Sequence, residues 1–164
     1  MENERNKHKP FWGPPRRASD RCLTYGTREY TAKLYNILTT ETWADKCANT
    51  SIEIKGRTHA RPIRCQDYGS DRGIYGYWLV NYDEPECKPI WDQFWKKGCD
   101  HLPGHRRWES ILSNTYSNSD MPEVCRSTPG TLPSGEHFTT STCIGSWRGW
   151  IGQWDVPDSS CAWE

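Results

Sequence analysis

Two histidines and two arginines carry the plainest potential for acid–base chemistry. His59 and His137 each stand twelve residues after a cysteine, Cys47 and Cys125, and Arg28 and Arg106 lie 78 residues apart. A histidine poised near neutrality beside an arginine and a carboxylate can move protons on a phosphodiester or a glycoside. Alignment on Gly56 and Gly135 instead sets His59 against Phe138, so the two histidines match in only one of two registers. Glycoside hydrolysis also asks for a defined pair of carboxylates, and no two acids are singled out by spacing. His101 and His105 are four apart, a metal-binding spacing on a helix, but Pro103 and Gly104 between them read as a turn. No metal or other cofactor is expected. Nucleophile elbow, P-loop and dinucleotide fingerprints are absent from the sequence.

Binding chemistry has more to work with. Trp78 and Trp154, with Tyr75, Tyr77 and Trp150 close by, sit among glycines that leave backbone open beside the rings. Rings edged by hydrogen-bonding groups are what a sugar or peptide surface requires. Residues two apart on a strand share a face, so Trp78 and Trp154 are also natural core residues, with the tyrosines looking outward. Trp91, Phe94 and Trp95 form a third aromatic group, spaced for one side of a helix. They read as a clasp burying apolar area, or else as an exposed binding site or homodimer contact.

Cysteines set the frame that must position these groups. Cys22, Cys47, Cys65 and Cys87 are separated by 25, 18 and 22 residues; Cys99, Cys125, Cys143 and Cys161 by 26, 18 and 18. The spacing lacks the close pairs of a zinc site and fits a disulfide framework from an oxidising compartment. Other residues keep the same rhythm. Gly26, Arg28, Tyr30, Leu34 and Asn36 match Gly104, Arg106, Trp108, Leu112 and Asn114, Thr50 matches Thr128, and Gly73, Gly76, Trp78 and Val80 match Gly149, Gly152, Trp154 and Val156. This is the pattern of a tandem duplication. If each unit pairs its own cysteines in the same way, three arrangements remain. One of them joins Cys47 to Cys65 and Cys125 to Cys143, with the outer cysteines closing each unit. The expected domains are a basic, proline-containing arm over 1–21, units over 22–87 and 99–161, and an aromatic linker over 88–98.

Within a unit, Tyr30, Lys33, Leu34, Ile37 and Leu38 have helical spacing, as do Trp108, Ile111, Leu112, Thr115 and Tyr116. The following TTET and NSDM segments supply capping residues for a second short helix ending near Cys47 or Cys125. SIEIKGR and TLPSGEH then read as strands entering tight turns, and IYGYWLVNY and WIGQWDV as half-buried hairpin strands. The expected fold class is α+β: a helix-plus-antiparallel-sheet unit, duplicated and packed as one pseudo-symmetric body. Four extra residues before Cys87 distinguish the units and point to a working site in only one of them.

Composition limits the remaining classes. The 164 residues include ten tryptophans, eight tyrosines and three phenylalanines, with a mean hydropathy of -0.94 and a formal net charge of zero. A chain so poor in aliphatic core wants covalent staples. Residues 1–21 carry six basic and three acidic groups, whereas 99–161 carry four and seven. Only the arm therefore offers the positive footprint that nucleic acid requires, and its Pro10, Pro14 and Pro15 suggest an extended tail. MENERNKHKPFWGPPRRASD has no apolar run and does not read as a signal peptide. No segment has the roughly 18 apolar residues of a membrane span. Asn49-Thr50-Ser51 is a glycosylation sequon.

The tail MPEVCRSTPGTLPSGEHF with CIGSWRGWIGQWDVPDSSC resembles small cysteine-rich proteins secreted by fungi. It covers less than half the chain and transfers no residue role; it implies a secreted effector or lectin-like protein. The expectation is a secreted binding protein, with carbohydrate as first ligand. A secreted or cell-surface protein is the second, including inhibition of a secreted enzyme. The rival is a small hydrolase of RNA or glycan using His59 or His137 with Arg28 or Arg106.

Overall fold

The computed structural model describes residues 9–38 and 42–161. They form mostly antiparallel sheet, with two short helices and four disulfides. Residues 9–20 and 28–83 make one compact unit and 21–27 with 84–161 a second.

The first unit holds β1 (Phe11–Trp12), the Arg16–Asp20 part of β2 (Arg16–Thr24) and, from Arg28, β3 (Thr27–Tyr35), followed by helix α1 (Trp43–Asn49). Next come the small hairpin β4 (Ile52–Ile54) and β5 (Arg57–His59), then β6 (Arg64–Asp67) and β7 (Ile74–Val80). The sheet runs β1-β3-β7-β6, with β2 also paired to β3. The arm from Phe11 onward is thus sheet rather than a tail; residues 1–8 of it lie outside the described residues.

The expected helix over 27–38 is a strand. Positions 30 and 34 share a face at both the helical and the strand period, and Ala32 between them is the residue that decides. Tyr30, Ala32 and Leu34 are all buried, opposite Trp78, Gly76 and Ile74, and threonines at 27 and 31 favour extended backbone. The matching segment is β10 (His105–Ser113), likewise a strand. Its recurrent end residues now have a reason. Gly26 and Gly104 begin these strands at φ 66° and 73°, and Asn36 and Asn114 end them at 66° and 58°. That left-handed backbone is easiest for glycine and, after it, asparagine.

Helix α1 is where the second short helix was expected, stapled to the sheet by Cys47–Cys65. No side chain caps it at Thr42; Thr39, Thr40 and Glu41 lie outside the described residues. The inner sheet face buries Tyr30, Ala32, Trp78 and Val80 against Ile52, Ile54 and Tyr82, with Trp12 packed alongside. Gly76 is the hole that lets two indoles meet: Trp12 stands edge-on to Trp78 at 4.7 Å between ring centres.

In the second unit, β8 (Ile90–Trp91) and β9 (Trp95–Lys96) both pair with β10, so the aromatic linker is strand and not helix. Helix α2 (Met121–Ser127) follows, then the pair β11 (Gly130–Thr131) and β12 (His137–Phe138), and β13 (Thr142–Ser146) with β14 (Gly149–Pro157). The strand order is β13-β14-β10-β8. Asp120 starts α2 without a side-chain cap. Trp91 stands edge-on to Trp154 at 4.9 Å above Gly152, as Trp12 does to Trp78. Trp12 Nε1 donates to the Thr50 carbonyl at 2.7 Å, and Trp91 Nε1 to that of Thr128 at 3.1 Å. Cys125–Cys143 staples α2 to β13, while Cys22–Cys87 and Cys99–Cys161 close longer loops. No helix among the described residues is long and apolar enough to cross a membrane. Four disulfides without such a helix are compatible with an extracellular protein.

Candidate functional site

Alternation along β7 sends Trp78 inward and Tyr75 and Tyr77 to the opposite face. On that outer face Tyr77 lies between Thr31 and Arg64, and Tyr75 between Lys33 and Gln66. The Arg64 guanidinium carbon sits 3.6 Å from the Tyr77 ring centre and pairs with Glu29 at 3.2 Å. Tyr77 is therefore covered and only 9% exposed, while Tyr75 remains half-buried. Tyr68, from the turn after β6, stands edge-on to Tyr75 at 5.5 Å. Its hydroxyl forms a short hydrogen bond with that of Tyr77. Burial, then this bond, pushes the Tyr77 phenol above its ordinary value, so it stays a neutral hydroxyl.

The start of β2 completes a groove of about 400 Å³, lined by Arg16, Arg17, Ala18, Thr31, Tyr68, Tyr75 and Tyr77. A second groove of about 260 Å³ shares Arg16 and Tyr75 and continues past Pro14, Pro15, Lys33 and Tyr35. Tyr75 and Tyr68 offer ring surface, and the Tyr68–Tyr77 pair offers hydroxyls at the edge. That is the apolar-plus-polar lining a sugar ring needs. Tyr68, Tyr35, Arg16 and Arg17 were not among the residues singled out from sequence. Register was the missing information, because Tyr75 becomes a groove wall only once β2 and the turn at Tyr68 lie beside it.

The second unit does not repeat this surface. Where the first has Tyr75 opposite Lys33 and Tyr77 opposite Thr31, the second has Ile151 opposite Ile111 and Gln153 opposite Glu109. Gln153 Nε2 donates to Glu109 at 2.8 Å. Trp154 is core, its indole donating to Ser141 Oγ at 3.0 Å, and Trp78 is 1% exposed. Trp150 is half-buried, its ring lying over Gly145. Trp91 and Phe94 pack on Trp154 in the second unit, and Trp95 pairs with Glu109 in the sheet. Among the described residues the exposed tryptophan is one that sequence reasoning passed over: Trp147, at the β13–β14 turn, is 89% exposed beside Arg148.

The acid–base residues are dispersed. His59 Nε2 is 2.6 Å from the Tyr82 hydroxyl, which donates to the Ile54 carbonyl. His137 Nδ1 is 2.8 Å from Thr131 Oγ1 on the neighbouring strand. Arg28 is wholly buried and donates Nε to the Asp20 carbonyl at 3.2 Å. Arg106 donates to Asp158 Oδ2, the Lys97 carbonyl and Ser160 Oγ at 3.2, 3.0 and 3.1 Å. Arg126, on helix α2, donates to Glu123 of the same helix. His101 lies beside Asp100, and His105 bonds the Pro103 carbonyl. Among the described residues no three histidines, cysteines or acids gather as metal ligands. Asn49 is exposed at the end of α1, beside a groove of about 580 Å³ that includes Phe11 and Trp12.

No protein-family model matches this sequence, and neither a curated protein nor a solved structure does.

Proposed function

We propose that this chain is a secreted, internally duplicated, disulfide-stabilised binding protein whose ligand is carbohydrate, held in the tyrosine groove of the first unit. One observation carries the reading: Tyr75 and Tyr68 present ring surface beside paired hydroxyls in a groove of about 400 Å³. The duplication rests on the 78-residue recurrence, on matched sheet orders and on matched cysteine pairings. Divergence of the second sheet face makes the first unit the working one. The hydrolase reading has less behind it, because Arg28 and Arg106 hold backbone and loop atoms and each histidine is engaged by a hydroxyl elsewhere.

A glycan array with the oxidised chain tests the proposal. Saturable binding that is lost in Tyr75→Ala and kept in Trp150→Ala is the expected result. Binding unchanged in Tyr75→Ala would remove the groove from the account. A second reading, attachment of a partner protein at the β13–β14 turn, is favoured by Trp147 with Ile144, 89% and 44% exposed. It predicts capture of a secreted or cell-surface protein that Trp147→Ala abolishes.

A further inference from the structure

The two grooves of the first unit meet at Arg16 and Tyr75. Their combined lining holds three cations, Arg16, Arg17 and Lys33, and no carboxylate. Asp20 pairs with Arg17 at 3.1 Å and Glu29 with Arg64 at 3.2 Å, so Arg16 and Lys33 carry the positive charge of the lining. A ligand entering this trough therefore meets ring surface, hydroxyls and positive charge.

Resting on the carbohydrate reading, we infer that the ligand is a linear acidic glycan, carrying carboxylate or sulfate groups, laid along both grooves past Arg16. Arginine supplies planar donors that match either anion, and a charge-assisted bond is stronger than a neutral one. Two connected grooves suit an extended chain over a single sugar. A polynucleotide is the weaker match. Its affinity comes from a long track of phosphate contacts, whereas here the cations line two short grooves of a chain with zero net charge.

The test titrates the oxidised full chain by calorimetry with a short oligouronide, its carboxyl-reduced neutral counterpart, a sulfated form of that neutral chain, and a single-stranded RNA oligomer. The acidic chains should bind about tenfold or more tighter than the neutral one, the scale of one charge-assisted hydrogen bond. Whichever of the two acidic chains binds tighter identifies the anion. Arg16→Gln should remove most of that preference, weakening the acidic chains several-fold more than the neutral one; Lys33→Gln should reduce it in part. Arg16 is exposed, so its replacement leaves the fold and the near-ultraviolet spectrum intact. Equal affinity for acidic and neutral chains overturns the inference and leaves the carbohydrate reading standing. An equal effect of Arg16→Gln on both chains also overturns it. Binding of no glycan overturns both, and preference for the RNA oligomer replaces them with a nucleic-acid site.

Discussion

Substituting Gly76 by alanine puts a methyl group where two indoles already meet. A Cβ there would lie 2.6 Å from Trp12 Cη2, 2.8 Å from Trp78 Cη2 and 3.0 Å from Trp12 Cζ3. Carbon atoms pack best at about 3.5 to 4.0 Å, and both obstacles are rigid ring edges rather than pliable chain ends. Overpacking of this kind costs about 1 to 3 kcal/mol. Alanine stiffens the unfolded chain and returns about 0.4 to 1 kcal/mol. At mid-range the net loss is about 1.3 kcal/mol, which moves a urea midpoint down by roughly 0.4 to 1.3 M at typical slopes. Tryptophan fluorescence reports it, since Trp12 and Trp78 are themselves displaced. Gly145→Ala is the control, because its nearest neighbours are Trp150 ring atoms at 3.6 Å, an ordinary contact. It should be neutral or slightly stabilising. A Gly76→Ala protein as stable as its parent would refute the indole packing on which the first unit's core is built.

Three further outcomes follow from the bonding around Asp158, Arg28 and the cysteines. The Ser160 hydroxyl and amide, then Arg106, hold the Asp158 carboxyl at about 2, below its ordinary 3.8. A depressed folded value means that its contribution is complete above 3.8 and lost as pH falls toward 2. Urea midpoints across that range should decline less in Asp158→Asn than in the parent. Arg28→Gln should cost about 1.5 to 3 kcal/mol by removing the charge-assisted bond that the wholly buried guanidinium makes to the Asp20 carbonyl, with glycan affinity unchanged in the folded fraction; lost turnover of RNA or glycan would instead revive the hydrolase. A non-reducing peptide map should return Cys22–Cys87, Cys47–Cys65, Cys99–Cys161 and Cys125–Cys143 and no free thiol.

Features that depend on residue type at recurring offsets were the legible ones. Cysteine rhythm narrowed the pairing to three arrangements, one of which is the pairing now seen, and Gly76 and Gly152 announced backbone left open beside rings. The strand character of 27–35 and 105–113 was less legible. Tyr30 and Leu34 fit both periods, and only the burial of Ala32 between them tells strand from helix. Recognition that Phe11-Trp12 and Ile90-Trp91 play one role was hidden by their different sequence surroundings, an arm in one case and a linker in the other. The groove needed strand register as well, since Tyr68, Tyr75 and Arg16 are distant in sequence and become neighbours only through β3 and β7.

Protein–ligand nuclear Overhauser effects from a saturating oligouronide test the central claim most directly. The account predicts contacts from sugar ring protons to the aromatic protons of Tyr68 and Tyr75, and none to those of Trp147 or Trp150. Contacts confined to the two tryptophans, with the tyrosine rings silent, would contradict it.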